Sequence, residues 1–63
     1  MVYGNVVEYC KKNNISIMEF EQKCGLSNGL VGKWKDNNYE PSISTLQKIT
    51  TATGIPIEEW LKQ

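Results

Sequence analysis

The 63-residue sequence contains no histidine, the side chain that most often serves as a general base or a metal ligand near neutral pH. Its absence argues against a nucleophilic triad and against zinc chemistry. Glu58 and Glu59 are adjacent carboxylates, but neighbouring helical positions point apart and no acid/base partner accompanies them. We therefore expect no enzymatic activity, no metal or other cofactor, and no small-molecule ligand.

Cysteine is scarce as well, because Cys10 and Cys24 are the only two and form no Cys-x-x-Cys pair. This count and spacing indicate neither a metal knuckle nor a disulfide scaffold. We expect both thiols to be reduced and at least partly buried in the core. A Cys10–Cys24 disulfide is the alternative.

Arginine is absent, and the seven lysines are balanced by seven acidic residues, which gives a formal net charge of 0. The sequence thus lacks the global positive field that attracts nucleic acid, so charge alone identifies no partner. No apolar run approaches the roughly 18 residues of a membrane span, and no basic segment leads into an apolar one. These absences predict neither a membrane partner nor a signal peptide and favour a cytoplasmic protein.

The sequence does contain apolar residues at helical spacing, within the composition of an ordinary globular domain. Its length fits a single domain, residues 1–63, with one core. A first helix is predicted over residues 2–13, with an apolar face formed by Tyr3, Val6, Val7 and Cys10. A second begins after Ser16, which forms a capping-box pattern with Glu19, and ends at Gly25.

A third helix is predicted over residues 28–36, with Ser27 as its N-terminal cap and with Leu30, Val31 and Trp34 on its buried face. Gly29 and Gly32 would then lie inside this helix, where each costs about 1 kcal/mol relative to alanine. Local propensity does not explain that cost. Close approach to another molecule is one interpretation.

Two more helices complete the prediction. Ser42 caps a fourth helix, which carries Ile43, Leu46 and Ile49 at intervals of three residues and ends at Gly54. Pro56 begins a fifth, whose apolar residues are Ile57, Trp60 and Leu61. The sequence therefore predicts an all-α domain of five helices without a convincing strand.

Two short helices joined by a glycine-centred turn, the second opening with small polar residues, can place one helix in a DNA major groove. The pattern over residues 15–61 is carried by Ser16, Glu19, Phe20, Lys23, Cys24, Gly25, Leu26, Ser27, Val31, Trp34, Pro41, Ser42, Leu46, Ile49, Gly54, Ile55, Ile57, Trp60 and Leu61. It resembles the Cro and lambdoid phage repressor family, the Xre-like regulators. The resemblance implies a compact, lambda-repressor-like DNA-binding domain with helices two and three as the helix-turn-helix.

The resemblance also implies a DNA-reading surface on the helix starting at Ser27. The residues expected to face base edges are Asn28, Gly29, Gly32 and Lys33. Asn28 could contact adenine and Lys33 guanine, and the glycines would permit close approach. The residues expected to contact phosphates are Ser27, Lys35, Asn37, Asn38 and Tyr39.

By resemblance, the protein is a sequence-specific, DNA-binding transcriptional regulator, a repressor or Cro-like switch of phage or bacterial origin acting on a double-stranded operator. A homodimer on a palindromic site is expected, because one module contacts too few base pairs to discriminate well. Ile55, Pro56, Ile57 and Trp60 are candidates for its interface, with ordinary core packing as the alternative. Trp34 and Trp60 both lie at the spacing of an apolar face, so we expect both to pack in the core or in a subunit interface and not to stack on bases. Of the two, Trp60 is expected to be the more exposed.

Two departures from the family pattern favour another function. Ile17 replaces a glutamine common at the start of the second helix, and Glu21 replaces a small alanine. We expect Glu21 to swing outward or to separate the two helices, and its charge would disfavour DNA. Together with zero net charge, these features support the alternative of a protein-interaction module, an antitoxin-like or anti-repressor partner with weak or no DNA binding.

Overall fold

A computed structural model describes residues 2–37 and 40–62 of the chain, and this part is helical with no strand. The helices are α1 (Val2–Asn13), α2 (Ile17–Cys24), α3 (Leu30–Asn37), α4 (Ile43–Thr53) and α5 (Ile57–Trp60). The predicted all-α fold with five helices is therefore confirmed for the described residues.

The local signals at the end of α1 and at the starts of α2 and α4 act as predicted. The Ser16 hydroxyl accepts from the Glu19 amide at 3.0 Å, and the Glu19 carboxylate accepts from the Ser16 amide at 2.8 Å, which completes the capping box. The Ser42 hydroxyl accepts from the Thr45 amide at the start of α4. Asn14 closes α1 in left-handed geometry, with φ of 56°.

One core, to which each of the five helices contributes, lies between them. Its buried hydrophobic residues are Val2, Val6, Cys10, Phe20, Cys24, Val31, Trp34, Leu46, Ile49 and Trp60. Ile43, assigned from its spacing to the apolar face of α4, is instead 63% exposed. As the first residue of α4, it lies beyond the part of the helix that reaches the core at Leu46 and Ile49.

Trp34 and Trp60 both pack in the core, as expected, but Trp60 is not partly exposed, because only 2% of its surface is accessible. The Asn5 side chain donates to the carbonyls of Trp60 and Lys62, at 2.6 and 2.8 Å, which ties the end of α5 to α1. The Trp60 ring packs against Tyr9 and Phe20, with centroids 5.6 and 5.9 Å away. These aromatic contacts make α5 part of the core.

Cys10 and Cys24 are free thiols and both are buried, as expected. Removal of the thiols from water raises the pKa of Cys10 and the pKa of Cys24 above the ordinary value of a cysteine. Both side chains therefore serve the fold as small apolar groups.

Candidate nucleic-acid interface

The turn that separates α2 from α3 begins at Gly25, whose φ of 70° reverses the chain direction in a way that suits glycine. The Gly25 amide donates to the carbonyl of Gln22 at 3.3 Å, and the Leu26 amide donates to the carbonyl of Glu21 at 2.8 Å. These bonds satisfy carbonyls at the end of α2 and fix where the chain leaves the helix.

The helix predicted to start at Ser27 begins three residues later, at Leu30. Asn28 and Gly29 form a turn in which Gly29 has a φ of 86°, and the Leu30 amide donates to the Ser27 carbonyl at 3.1 Å. An Asn-Gly pair favours such a turn, and a positive φ is incompatible with a right-handed helix. The prediction of a helix over residues 28–36 was therefore wrong at its N-terminal end.

The side chain that binds amides at the start of α3 is that of Glu21 and not that of Ser27. The Glu21 side chain is only 3% exposed. One carboxylate oxygen accepts from the Gly29 amide at 3.1 Å, and the other accepts from the Val31 amide at 2.9 Å. Amides at a helix start lack partners within the helix, and the helix dipole favours negative charge there. The expectation that Glu21 swings outward was wrong for this reason.

The sequence contained a signal for this contact. An acidic residue stands in α2 where the family pattern has a small one, seven residues before an Asn-Gly pair that indicates a turn. The carboxylate is buried and its two oxygens face the amides of Gly29 and Val31, so its side chain does not project from the molecular surface.

The four candidates for base contact lie along one accessible part of the molecule. Asn28 and Gly29 are exposed on the turn, Lys33 is exposed on α3, and Gly32 is partly exposed beside it. Val31 and Trp34 occupy the opposite side of α3 and are buried, at 0% and 1% accessibility. A Cβ atom placed on Gly32 would meet no heavy atom within 4 Å.

Of the candidates for phosphate contact, Ser27 and Lys35 are exposed at the start of the turn and near the end of α3. Asn37 is the last residue of α3, and the structure describes its backbone but not its side chain. Asn38 and Tyr39 lie outside the described residues altogether.

Other charged groups near this surface were not anticipated. Asp36 is exposed on α3, in the same part of the helix as Lys33 and Lys35. Lys23 of α2 is turned toward α1, where its ammonium donates to the Tyr9 hydroxyl at 3.0 Å. That hydrogen bond raises the pKa of Lys23.

The four residues of the candidate dimer interface differ in their solvent accessibility. Trp60 belongs to the core of the protomer, whereas Pro56 is exposed and Ile55 and Ile57 are partly exposed. Leu61, which follows α5, is a further exposed apolar residue, with 51% of its surface accessible. The accessible part of the candidate interface is thus formed by Ile55, Pro56 and Ile57.

The described residues contain neither a metal-binding cluster nor a membrane-spanning helix. Residues 2–37 and 40–62 hold no group of three or more cysteine, aspartate or glutamate side chains that could bind a metal ion. In the same ranges, each helix is too short or too polar to cross a membrane.

Comparison with known protein families matches residues 6–60 to the family described as helix-turn-helix. The chain belongs to the helix-turn-helix family. The match extends from α1 to the end of α5, so the resemblance predicted from the sequence is confirmed. Members of this helix-turn-helix family are DNA-binding regulators. No curated protein and no solved structure matches the chain.

Proposed function

We propose that this helix-turn-helix protein is a sequence-specific transcriptional regulator, a repressor or Cro-like switch of phage or bacterial origin that occupies an operator and blocks polymerase. The turn Ser27–Gly29 and helix α3 enter the DNA major groove. In this arrangement Asn28, Gly29, Gly32 and Lys33 face the base edges. Regulation comes from concentration, competition or a partner protein, without a cofactor.

The observation that carries the proposal is the glycine in the first turn of α3. Gly32 has an ordinary helical backbone, and beyond its chain neighbours and the backbone of α3 itself a Cβ there would meet no heavy atom within 4 Å. Alanine at this position would be favoured by about 1 kcal/mol, so neither packing nor conformation requires glycine. The absence of a side chain at Gly32 would let a base edge or a thymine methyl group come close to the backbone of α3.

The side chains around Gly32 supply complementary chemistry. The Asn28 amide can pair with N6 and N7 of adenine, and the Lys33 ammonium can donate to O6 and N7 of guanine. Ser27 and Lys35, together with Asn37, Asn38 and Tyr39, contact phosphates and fix the orientation of α3 without selecting a sequence.

Two copies bind a palindromic operator, with their α3 helices in successive major grooves about 34–36 Å apart. The protomers associate through the accessible apolar residues Ile55, Pro56 and Ile57. Dimerisation doubles the number of base pairs contacted, and specificity requires this because a single module contacts few of them.

The proposal is tested by selecting bound duplexes from a randomised DNA pool and measuring the affinity of the winner at about 50 and 200 mM salt. We expect a palindromic motif, a steep loss of affinity with salt, and a weakened base preference in Asn28→Ala and Lys33→Ala. Lys12→Ala, which removes an exposed lysine of α1, is the matched control and should leave the base preference unchanged.

Failure to enrich any motif would refute the regulator proposal. The antitoxin-like or anti-repressor alternative would then be favoured, and binding of a protein partner should depend on Ile57 and survive Lys33→Ala.

A further inference from the structure

We propose that Glu21 is a positioning residue that fixes the backbone of the turn Ser27–Gly29 and thereby determines which base Asn28 contacts. This inference rests on the proposed DNA-binding function and deepens it. Glu21 itself is 3% exposed and does not reach DNA, so it acts through the main chain of the turn.

Residue 21 is hydrogen-bonded on both sides of the turn Ser27–Gly29. Its main-chain carbonyl oxygen accepts from the Leu26 amide, just before the turn, at 2.8 Å, as it would for any side chain at this position. Its carboxylate accepts from the amides of Gly29 and Val31, where the turn passes into α3, at 3.1 and 2.9 Å. One residue of α2 therefore ties both the entry and the exit of the segment that carries Asn28.

The three successive amides from Gly29 to Val31 are all engaged. Gly29 and Val31 donate to the two carboxylate oxygens, and the intervening Leu30 amide donates to the Ser27 carbonyl. A carboxylate that accepts from two amides two residues apart restrains the orientation of both N–H groups. Asn28 projects from the turn immediately before these fixed groups.

Small displacements of that turn are sufficient to alter base contact. A hydrogen bond from an amide side chain to a base keeps its strength only over donor–acceptor distances of about 2.7–3.2 Å. A shift of the turn by about 1 Å would break the paired contact of Asn28 with adenine while leaving α3 in the groove.

In the part of the chain that the structure describes, the carboxylate has no other partner that would account for its buried position. Among the described residues no ammonium forms a salt bridge with Glu21, so the cost of removing its charge from water is offset by the two amides. The same two hydrogen bonds that stabilise the start of α3 therefore also restrain the turn.

The test compares Glu21→Gln with wild type in the same duplex selection. Glutamine keeps the shape but presents an NH₂ group to one of the two amides, so one hydrogen bond is lost. Amide exchange measured by NMR in the free protein should accelerate at Gly29 or Val31. Ile49→Val, which removes a buried methyl group from α4, is the control for general weakening of the fold.

For Glu21→Gln we expect discrimination at the base pair contacted by Asn28 to fall from about 10-fold to about 2-fold. Discrimination at the base pairs contacted by Lys33, and the salt dependence, should stay as in wild type. Ile49→Val should preserve the preference at every position. If Glu21→Gln does not fold, Glu21→Asp, whose shorter side chain cannot span both amides, takes its place with the same expectation.

Two negative outcomes are distinguishable. A motif in wild type that Glu21→Gln retains at every position, with affinity lowered uniformly, overturns the positioning role and leaves the DNA-binding function intact. Absence of any motif in wild type overturns the DNA-binding function and this inference with it.

Discussion

Replacing Gly32 with alanine should stabilise the protein and weaken its binding to DNA at the same time. The position is inside α3, its backbone is helical, and the space around an added Cβ is empty to 4 Å. The substitution therefore gains the difference in helix propensity, about 0.8–1.0 kcal/mol, without a packing penalty. For a domain of this size, about 1 kcal/mol raises Tm by roughly 4–8 °C.

The effect on DNA has the opposite sign. In the proposed complex the added methyl group lies where a base edge approaches α3, and it must either displace the helix or lose a contact. Loss of one good base contact corresponds to about 1–3 kcal/mol, so we expect affinity for the selected operator to fall by about 10-fold or more. Affinity for unrelated DNA, which depends on phosphates, should change little.

Gly4→Ala provides the matched control. Gly4 is an exposed glycine in α1 whose added Cβ would also meet nothing within 4 Å, and it is remote in sequence from the turn and α3. Its replacement should stabilise the fold without affecting the operator. Thermal melts and operator titrations of both variants give the comparison. A lower Tm for Gly32→Ala would refute the account of α3, and unchanged operator affinity would refute its approach to DNA.

Three further predictions concern stability and the thiols. Glu21→Ala should lower the free energy of unfolding by about 2–3 kcal/mol in urea titrations, because the buried Val31 amide loses its acceptor. A loss below about 0.5 kcal/mol would contradict the capping role of Glu21. Asn5→Ala should cost about 1–2 kcal/mol by the same measurement, since two carbonyls at the end of α5 lose their donor; an unchanged urea midpoint would show that α5 docks without them. Burial raises the pKa of both Cys10 and Cys24, which lowers the thiolate fraction in the folded state. A thiol reagent at about pH 8 should therefore react slowly with the native protein and rapidly with the protein in denaturant. Rapid labelling of the native protein would refute the burial of the two thiols.

The helix boundaries that sequence analysis predicted correctly depend on neighbouring residues. The Ser16 and Glu19 capping box spans one helical turn, and Gly25 ends α2 through its own conformational freedom. Such signals are complete within a few residues, so the order and number of helices follow from the sequence.

The errors arose where residues distant in the chain come together. Ser27 was predicted to cap α3 because it has the right chemistry locally, but a carboxylate from the preceding helix binds the amides instead. The main chain of Trp60 is hydrogen-bonded to Asn5, which lies 55 positions away in the chain. Spacing within α5 could not show that contact, and spacing within α4 could not show that Ile43 lies beyond the core.

The accessible residues of the candidate DNA-reading surface were therefore predictable from the sequence, but the conformation of the turn that carries Asn28 and Gly29 was not. Family resemblance indicated Asn28, Gly29, Gly32 and Lys33, and all four have accessible positions. The turn at Asn28 and Gly29 was missed because the apolar spacing of α3 was extended past an Asn-Gly pair, a turn signal that should have had precedence.

The hydrogen bonds of Glu21 also define what can be transplanted. A chimaera that moves residues 27–37 of this chain into another helix-turn-helix scaffold would leave behind the acceptor of the Gly29 and Val31 amides. The transferred segment would keep its side chains and lose the conformation in which they are displayed. The smallest exchangeable unit of this protein therefore begins at residue 21, inside α2.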